Sequence, residues 1–282
     1  MGKTHKKIWM GSGAVVLVAA AAIHMSPLYL MVVNSFKNRA ELFESALALP
    51  ERLDFQFYVE AMERMEFLNA FYNSMIITIS AVLLIIVTSS MTAWVLVRSD
   101  SKWSHAIFLT FVATMLIPFQ TIMMPLMQVT GVVHNLFGIQ MLNSRAGLVF
   151  MYIGFGAAMS VFLFHGFIKS IPVSLEEAAS IDGATKFGIF WRIVFPMLKP
   201  ITTTVVILNV IWIWNDFLLP SLVLTSRSLR TIPLSTASFF GVFTIQWNLA
   251  MAGLTLTIIP VIIFYTLVQK AIIKGVSEGA VK

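Results

Sequence analysis

The sequence of 282 residues carries 11% charged side chains against 58% hydrophobic ones, with a mean hydropathy of +0.87. Soluble domains carry about 25% charge, so this chain cannot cover a globular surface in water. Disorder, which needs low hydrophobicity and high net charge, is excluded with it. The absence of cysteine removes disulfides, thiolate metal sites and cysteine nucleophiles.

Six apolar stretches have about the 20-residue length that crosses a hydrocarbon core as a helix. They are approximately Trp9–Phe36, Phe71–Val97, Ala106–Thr130, Ala146–Phe167, Ile201–Pro220 and Leu249–Val268. Lipid offers no partner to backbone polar groups, so these segments are helices. The expected fold is an all-α membrane protein with six transmembrane helices in one domain over residues 1–282. Lys3, Lys6 and Lys7 before Val15–Ile23 imitate a signal peptide. The apolar run continues through Leu28–Val33, beyond the length of a signal-peptide core, and predicts a retained first helix.

Six spans bring both termini to one side. With the termini in the cytoplasm, the inner segments hold Lys3, Lys6, Lys7, Arg98, Lys102, Lys169, Lys186, Arg192, Lys199, Lys270, Lys274 and Lys282. The outer ones hold Lys37, Arg39, Arg52, Arg64, Arg145, Arg227 and Arg230. The positive-inside rule therefore predicts cytoplasmic termini. The basic excess, a net charge of +6, reads as an orientation signal and not as a nucleic-acid surface.

Of the connections, the outer segments near 37–69 and 221–247 are long or moderate, and 98–105 is a tight inner turn. The inner loop at about 172–200 has its own chemistry. Ser174 and Glu177 fit an S-x-x-E capping box, and Gly183 suits the left-handed position that ends a helix. A helix of about eight residues, roughly 12 Å long, should start at Leu175 and end near Asp182. Leu175, Ala178, Ala179 and Asp182 share one face, where two small alanines allow close approach of another protein; the alternative is a helix resting on its own bundle. Thr185 can cap a second helix with an apolar stripe of Phe187, Phe190, Trp191 and Val194, before Pro196 and Pro200 redirect the chain.

Glu177-Ala178-Ala179, Asp182-Gly183-Ala184, Phe190, Ile193, Pro196 and Pro200 resemble the EAA loop of ABC importer permeases. Asn73-Ser74, Pro118 with Gln120, Trp214-Asn215-Asp216, Gln269-Lys270 and the tail from Gly275 through Gly279-Ala280-Val281-Lys282 are similar to the carbohydrate-uptake branch, the MalG type. The resemblance implies a type I importer permease in a bacterial or archaeal cytoplasmic (inner) membrane. It implies a second permease subunit as heterodimer partner, an ATPase subunit dimer, an extracytoplasmic solute-binding protein and contact with membrane lipid. ATP and Mg would be bound by the partner ATPase, because this chain has no phosphate loop. No cofactor, metal or nucleic acid is expected on the chain, which the resemblance implies is a transport subunit and not an enzyme. Glu176, Glu177, Ala178, Ala179, Asp182, Gly183, Ala184 and Pro196 are the implied ATPase-coupling residues.

Pathway candidates are fewer. Asp216 is the one acid inside a predicted span, a position that costs about 2.5–3.5 kcal/mol at the membrane centre. With Trp212, Trp214 and Asn215 it offers aromatic faces and acceptors to a sugar, or else caps and bridges helices. Gln120 either lines the pathway or satisfies carbonyls freed by Pro118. His24 and His165 read as packing or interfacial residues. An ion-coupled transporter would place several ionisable groups in its spans, and an intramembrane enzyme a metal cluster or nucleophile–base pair. Permeases for amino acids or glycerol phosphate share the loop, but phosphate ligands favour basic pathway residues, which are absent.

Overall fold

The computed structural model describes residues 3–99, 101–241 and 246–280, with the side chains of those between 13 and 269. Asp100, Val281 and Lys282 lie outside the described residues, as do the side chains of Lys3, Lys6, Lys7, Lys270, Lys274 and Glu278. In chain order the helices are α1 (Lys3–Asn34), α2 (Arg39–Glu44), α3 (Gln56–Arg64), α4 (Phe67–Arg98), α5 (Lys102–Thr114), α6 (Phe119–Phe137) and α7 (Arg145–Ile168). They continue with α8 (Ser174–Ile181), α9 (Lys186–Met197), α10 (Lys199–Asn215), α11 (Leu218–Val223), α12 (Ile232–Thr236) and α13 (Trp247–Ala280). The chain divides into two compact units.

One unit joins the described residues before Leu68 to Thr236–Ile262. The segment Gly13–Asn34 of α1 is apolar with none of its most hydrophobic window buried, an arrangement stable only in an apolar surrounding. The chain leaves α1 through a polar corner. Asn34 Nδ2 donates to the carbonyls of Leu30 (2.7 Å) and Ala46 (3.0 Å), and buried Lys37 Nζ donates to that of Ser45 at 2.8 Å. Asn38 caps α2 by accepting from the amides of Ala40 and Glu41. Phe36, Phe55 and Tyr58 cluster beside it, with centroids 5.4 and 5.2 Å from Phe36. Ala61 and Met65 bury against Phe239, Leu249, Ala250 and Ala252. Gly253 makes that contact possible, since a Cβ there would lie 2.5 Å from the Phe239 ring.

The second unit, Leu68–Ser235 with residues from Ile263 onward, is built on α4, α7 and α10. Ile77, Ile85, Leu148, Phe164, Phe190 and Val205 are among its fully enclosed core. At Gly156 of α7 a Cβ would lie 2.5 Å from Ile85 Cδ1 and 2.9 Å from Asn209 Oδ1. A glycine there seats the Ile85 and Asn209 side chains directly against the α7 backbone, a use of small residues favoured in membrane bundles. One turn along, Asn209 Nδ2 donates to Ser160 Oγ at 3.1 Å and to the Val205 carbonyl at 2.9 Å. The polar group is thus satisfied inside the core.

Two expected spans differ in form. Ala106–Thr130 is not one straight helix: α5 and α6 meet at 108° across the break before Pro118. Proline disfavours helical geometry at the residue before it, Ile117, and Pro118 itself takes ψ 135°, so the chain turns instead of kinking. Ile201–Pro220 is likewise divided. α10 ends at Asn215, Asp216 is extended (ψ 126°), and α11 starts afresh. α9 and α10 in turn meet at 77°, around Leu198 between Pro196 and Pro200. Among the described residues, four helices are long and apolar enough to cross a membrane, or up to six spans if each bent pair counts as one.

The segment after α11 is stitched to its neighbours. Asn69 and Asn73 of α4 donate to the Ser228 carbonyl at 2.8 and 2.9 Å, and Asn73 also to that of Arg230 at 3.0 Å. Ser74 Oγ accepts from the Ile232 amide at 2.9 Å, and Arg145 Nε donates to Asn73 Oδ1 at 2.8 Å. Asn143, with φ +52°, bonds both ways with Ser226 at 2.7 and 2.9 Å.

Candidate functional site

The loop between α7 and α10 holds α8, an eight-residue helix. Its C-terminus ends as its spacing predicts: Gly183 has φ +83°, its amide donates to Ser180, and the Ala184 amide reaches Ala179 at 2.9 Å. These are the two bonds of a Schellman motif. The expected capping box does not form. Val173 is already helical (φ −63°, ψ −31°), and its carbonyl accepts from the amides of Glu176 (2.9 Å) and Glu177 (3.1 Å). Ser174 therefore lies inside the first turn, where its hydroxyl has no free amide ahead of it to cap.

The two glutamates of the motif part company. Glu177 is exposed, whereas Glu176 is 8% exposed and is the one buried residue of α8. Arg98 approaches Glu176 Oε1 with Nε at 2.8 Å and Nη2 at 2.7 Å, and Trp94 Nε1 donates to Oε2 at 2.9 Å. Arg98 Nη2 also donates to the Ile171 carbonyl at 3.0 Å. Charge-assisted bonds are worth about 1.5–3 kcal/mol and exposed pairs about 0–1. With side chains 18% and 10% exposed, this pair falls between those ranges. Ala179, three residues on, packs on the same core. The opposite side of α8 points outward, with Leu175, Ala178 and Asp182 exposed and Ile181 87% exposed. The face predicted for α8 is therefore open except at Ala179.

Thr185 caps α9 by accepting from the Gly188 amide at 3.1 Å. The stripe behind it divides: Phe190 and Val194 are fully buried, Trp191 is partly so, and Phe187 is 66% exposed. A π-helical turn, Phe190–Val194, interrupts α9. Pro196 lies in its last turn, just before the bend.

A cavity of about 1390 Å³ lies among α5, α6, α7 and α10. Gln120, Asn209, Trp212 and Asp216 reach its wall, which is otherwise mostly apolar, and among the described residues no Lys, Arg or His lines it. Trp212 and Asp216 share a face of α10 at i, i+4 spacing. Tyr152 stands beside them, its hydroxyl donating to Asp216 Oδ2 at 2.9 Å and its ring 5.4 Å from that of Trp212. Asp216 Oδ1 accepts from the Leu218 amide at 2.9 Å, which holds the turn between α10 and α11. Trp214 and Asn215 are not brought to the cavity wall. Trp214 meets Phe71 at 5.9 Å, and Asn215 Nδ2 returns to the Ile211 carbonyl at 2.8 Å. His165 stacks on Phe108 at 3.7 Å, and His24 bonds the carbonyl of Ala20 one turn back.

Sequence reasoning missed Trp94, Arg98, Tyr152 and Asn209. The only available signal was that Arg98, Tyr152 and Asn209 are polar groups at or within apolar helices.

A multi-pass membrane protein that presents a short helix closed at its C-terminus, and whose bundle holds a mostly apolar cavity with Asp216 on its wall, has the form of a transport component. The chain belongs to the family of binding-protein-dependent transport system inner membrane components, which residues 85–278 match. It is 46% identical over 265 residues to the probable starch degradation products transport system permease protein AmyC of Thermoanaerobacterium thermosulfurigenes, covering 94% of each chain. It is 35% identical to the melibiose/raffinose/stachyose import permease protein MelC of Bacillus subtilis, covering 95% of this chain and 96% of that one. The fold is shared with a bacterial ABC transporter that imports the acidic polysaccharide alginate, at TM-score 0.77, 21% identity and coverage of 96% and 98%.

Proposed function

We propose that the chain is the permease subunit of an ATP-driven, binding-protein-dependent importer for a neutral sugar or oligosaccharide. It forms half of the translocation pathway with a second permease subunit, and both termini are cytoplasmic. An ATPase dimer, which binds ATP and Mg, receives α8 as its coupling helix. An extracytoplasmic solute-binding protein delivers the ligand.

The observation that carries the substrate class is that relatives matched over nearly their whole length are named for saccharide uptake, at 46% and 35% identity. The cavity wall supports a neutral member of that class, since an acidic saccharide favours basic partners and none lines it. The likeness to a solved alginate transporter bound to its periplasmic protein, at TM-score 0.71, supports the delivery step. The coupling role is supported by α8 itself, closed at its C-terminus and outward-facing at Ala178 and Ile181.

Co-purification with the products of neighbouring genes, followed by binding-protein-dependent uptake over a sugar panel, tests this reading. Uptake of neutral oligosaccharides in preference to uronic acid oligomers and sugar phosphates is expected. Preference for the anionic ligands would overturn the substrate class.

A further inference from the structure

We propose that α4 is a transmission rod, latched to the coupling helix at its inner end by Glu176, Arg98 and Trp94 and to the outer segment at its other end by Asn69, Asn73 and Ser74. The proposal rests on the coupling role given above to α8.

Three observations carry it. First, α8 is exposed almost everywhere but at Glu176, and both carboxylate oxygens there are taken by α4: Oε1 by Arg98 and Oε2 by Trp94. Arg98 and Trp94 stand four residues apart, on one face of the last turn. Second, the same two side chains grip the flanks of α8. Arg98 bonds the Ile171 carbonyl ahead of it at 3.0 Å, and the Trp94 ring lies 5.4 Å from Phe190 behind it. A displacement of α8 therefore cannot occur without moving the end of α4 or breaking a fork of charged bonds.

Third, α4 is suited to carry that displacement. It is one unbroken helix of 32 residues with no Pro or Gly, and at 1.5 Å per residue it spans roughly 40 Å between Asn69 and Arg98. The bent pairs α5–α6 and α9–α10 lack this continuity. Its outer end holds the carbonyls of Ser228 and Arg230 through Asn69 and Asn73, and the Ile232 amide through Ser74. A packed helix moves as a body between discrete positions. An event at α8 thus reaches residues 228–232, and contact made at that outer segment reaches α8. Glu176 and Arg98 act as positioning residues in this scheme. Exposed Glu177 stays free for the ATPase partner.

The test uses the reconstituted complex with ATPase and binding protein, comparing Glu176→Ala, Glu176→Gln, Arg98→Ala, Arg98→Lys and Asn73→Ala. Permease abundance and bound ATPase subunits are the controls. The alanine variants at 176 and 98 should keep the ATPase subunits bound yet lower uptake per ATP hydrolysed by about tenfold. Glu176→Gln, which keeps acceptors, and Arg98→Lys, which keeps charge but loses the fork, should fall between. The double alanine variant should lose less than the two singles added together, because the residues share a contact. Asn73→Ala should weaken stimulation of ATP hydrolysis by the binding protein. Wild-type coupling in all of these, or additive losses at 176 and 98, overturns the rod. If an alanine variant fails to accumulate, the Gln and Lys variants decide by the same ratio. The coupling role is judged separately with Ala178→Arg on the open face of α8. Undiminished ATPase binding and uptake in that variant would remove the coupling role whatever the latch variants do.

Discussion

Replacing Gly183 isolates the backbone requirement of α8. At φ +83° a side chain is strained whatever the space around it, and here an added Cβ meets nothing within 4 Å. The penalty is therefore conformational and not a clash. An L-residue in the left-handed region costs about 1–2 kcal/mol, and a β-branched one is a true outlier there. If the backbone relaxes instead, it forfeits the bonds from Gly183 to Ser180 (3.1 Å) and from Ala184 to Ala179 (2.9 Å), each worth about 1 kcal/mol net. Either route removes about 2 kcal/mol from an eight-residue helix, a length with little stability of its own. The last turn, with Ala178 and Asp182, then frays. Uptake per permease molecule in proteoliposomes should rank Gly and Asn above Ala, and Ala above Val, since Asn tolerates this conformation. Hydrogen exchange over residues 174–184 should rise in the same order. Wild-type uptake by a well-inserted Gly183→Val protein would falsify the reasoning. So would an Asn variant as impaired as the Val one, which points to lost space at a partner's surface.

Three further outcomes are expected. Gly253→Leu should lower the unfolding temperature of the detergent-solubilised protein through about 1–3 kcal/mol of overpacking, and Phe239→Ala should recover part of it, because Phe239 is what the new side chain meets. Gly156→Ala should destabilise by a similar mechanism, with Ile85→Val giving relief in thermal unfolding since Ile85 Cδ1 is the nearest obstacle. Asp216→Asn should keep near-normal uptake, because its carbonyl oxygen can still accept from Leu218 or Tyr152. Asp216→Ala should lose about 1–2 kcal/mol of stability with the bonds from Tyr152 and Leu218. Equal behaviour of the two in uptake and unfolding would argue for a role of the charge itself.

The limits of sequence reading here have physical causes. The end of α8 was legible because one glycine after a short run dictates a left-handed residue. Its start was not, because the capping-box pattern fits Ser174 while Val173, just after Pro172, had already entered the helix. The bend before Pro118 was hidden by hydropathy, which stays high through Leu116 and Ile117 and reports polarity without direction. The division of Trp212 and Asp216 from Trp214 and Asn215 follows from helical spacing and was within reach. The anchoring of Glu176 was not: its partners stand 82 and 78 positions earlier, and adjacent identical residues carry no local sign of which one turns inward.

The central claim is that transport through this chain is driven by ATP hydrolysed in a partner subunit. Its most direct test is uptake of a bound neutral oligosaccharide into proteoliposomes holding the complete complex, with ATP inside the ATPase-facing compartment and ion gradients collapsed. The account predicts uptake that requires both ATP and the binding protein and is lost when the ATPase subunit cannot hydrolyse. Uptake that persists without ATP and follows an imposed proton or sodium gradient would contradict it.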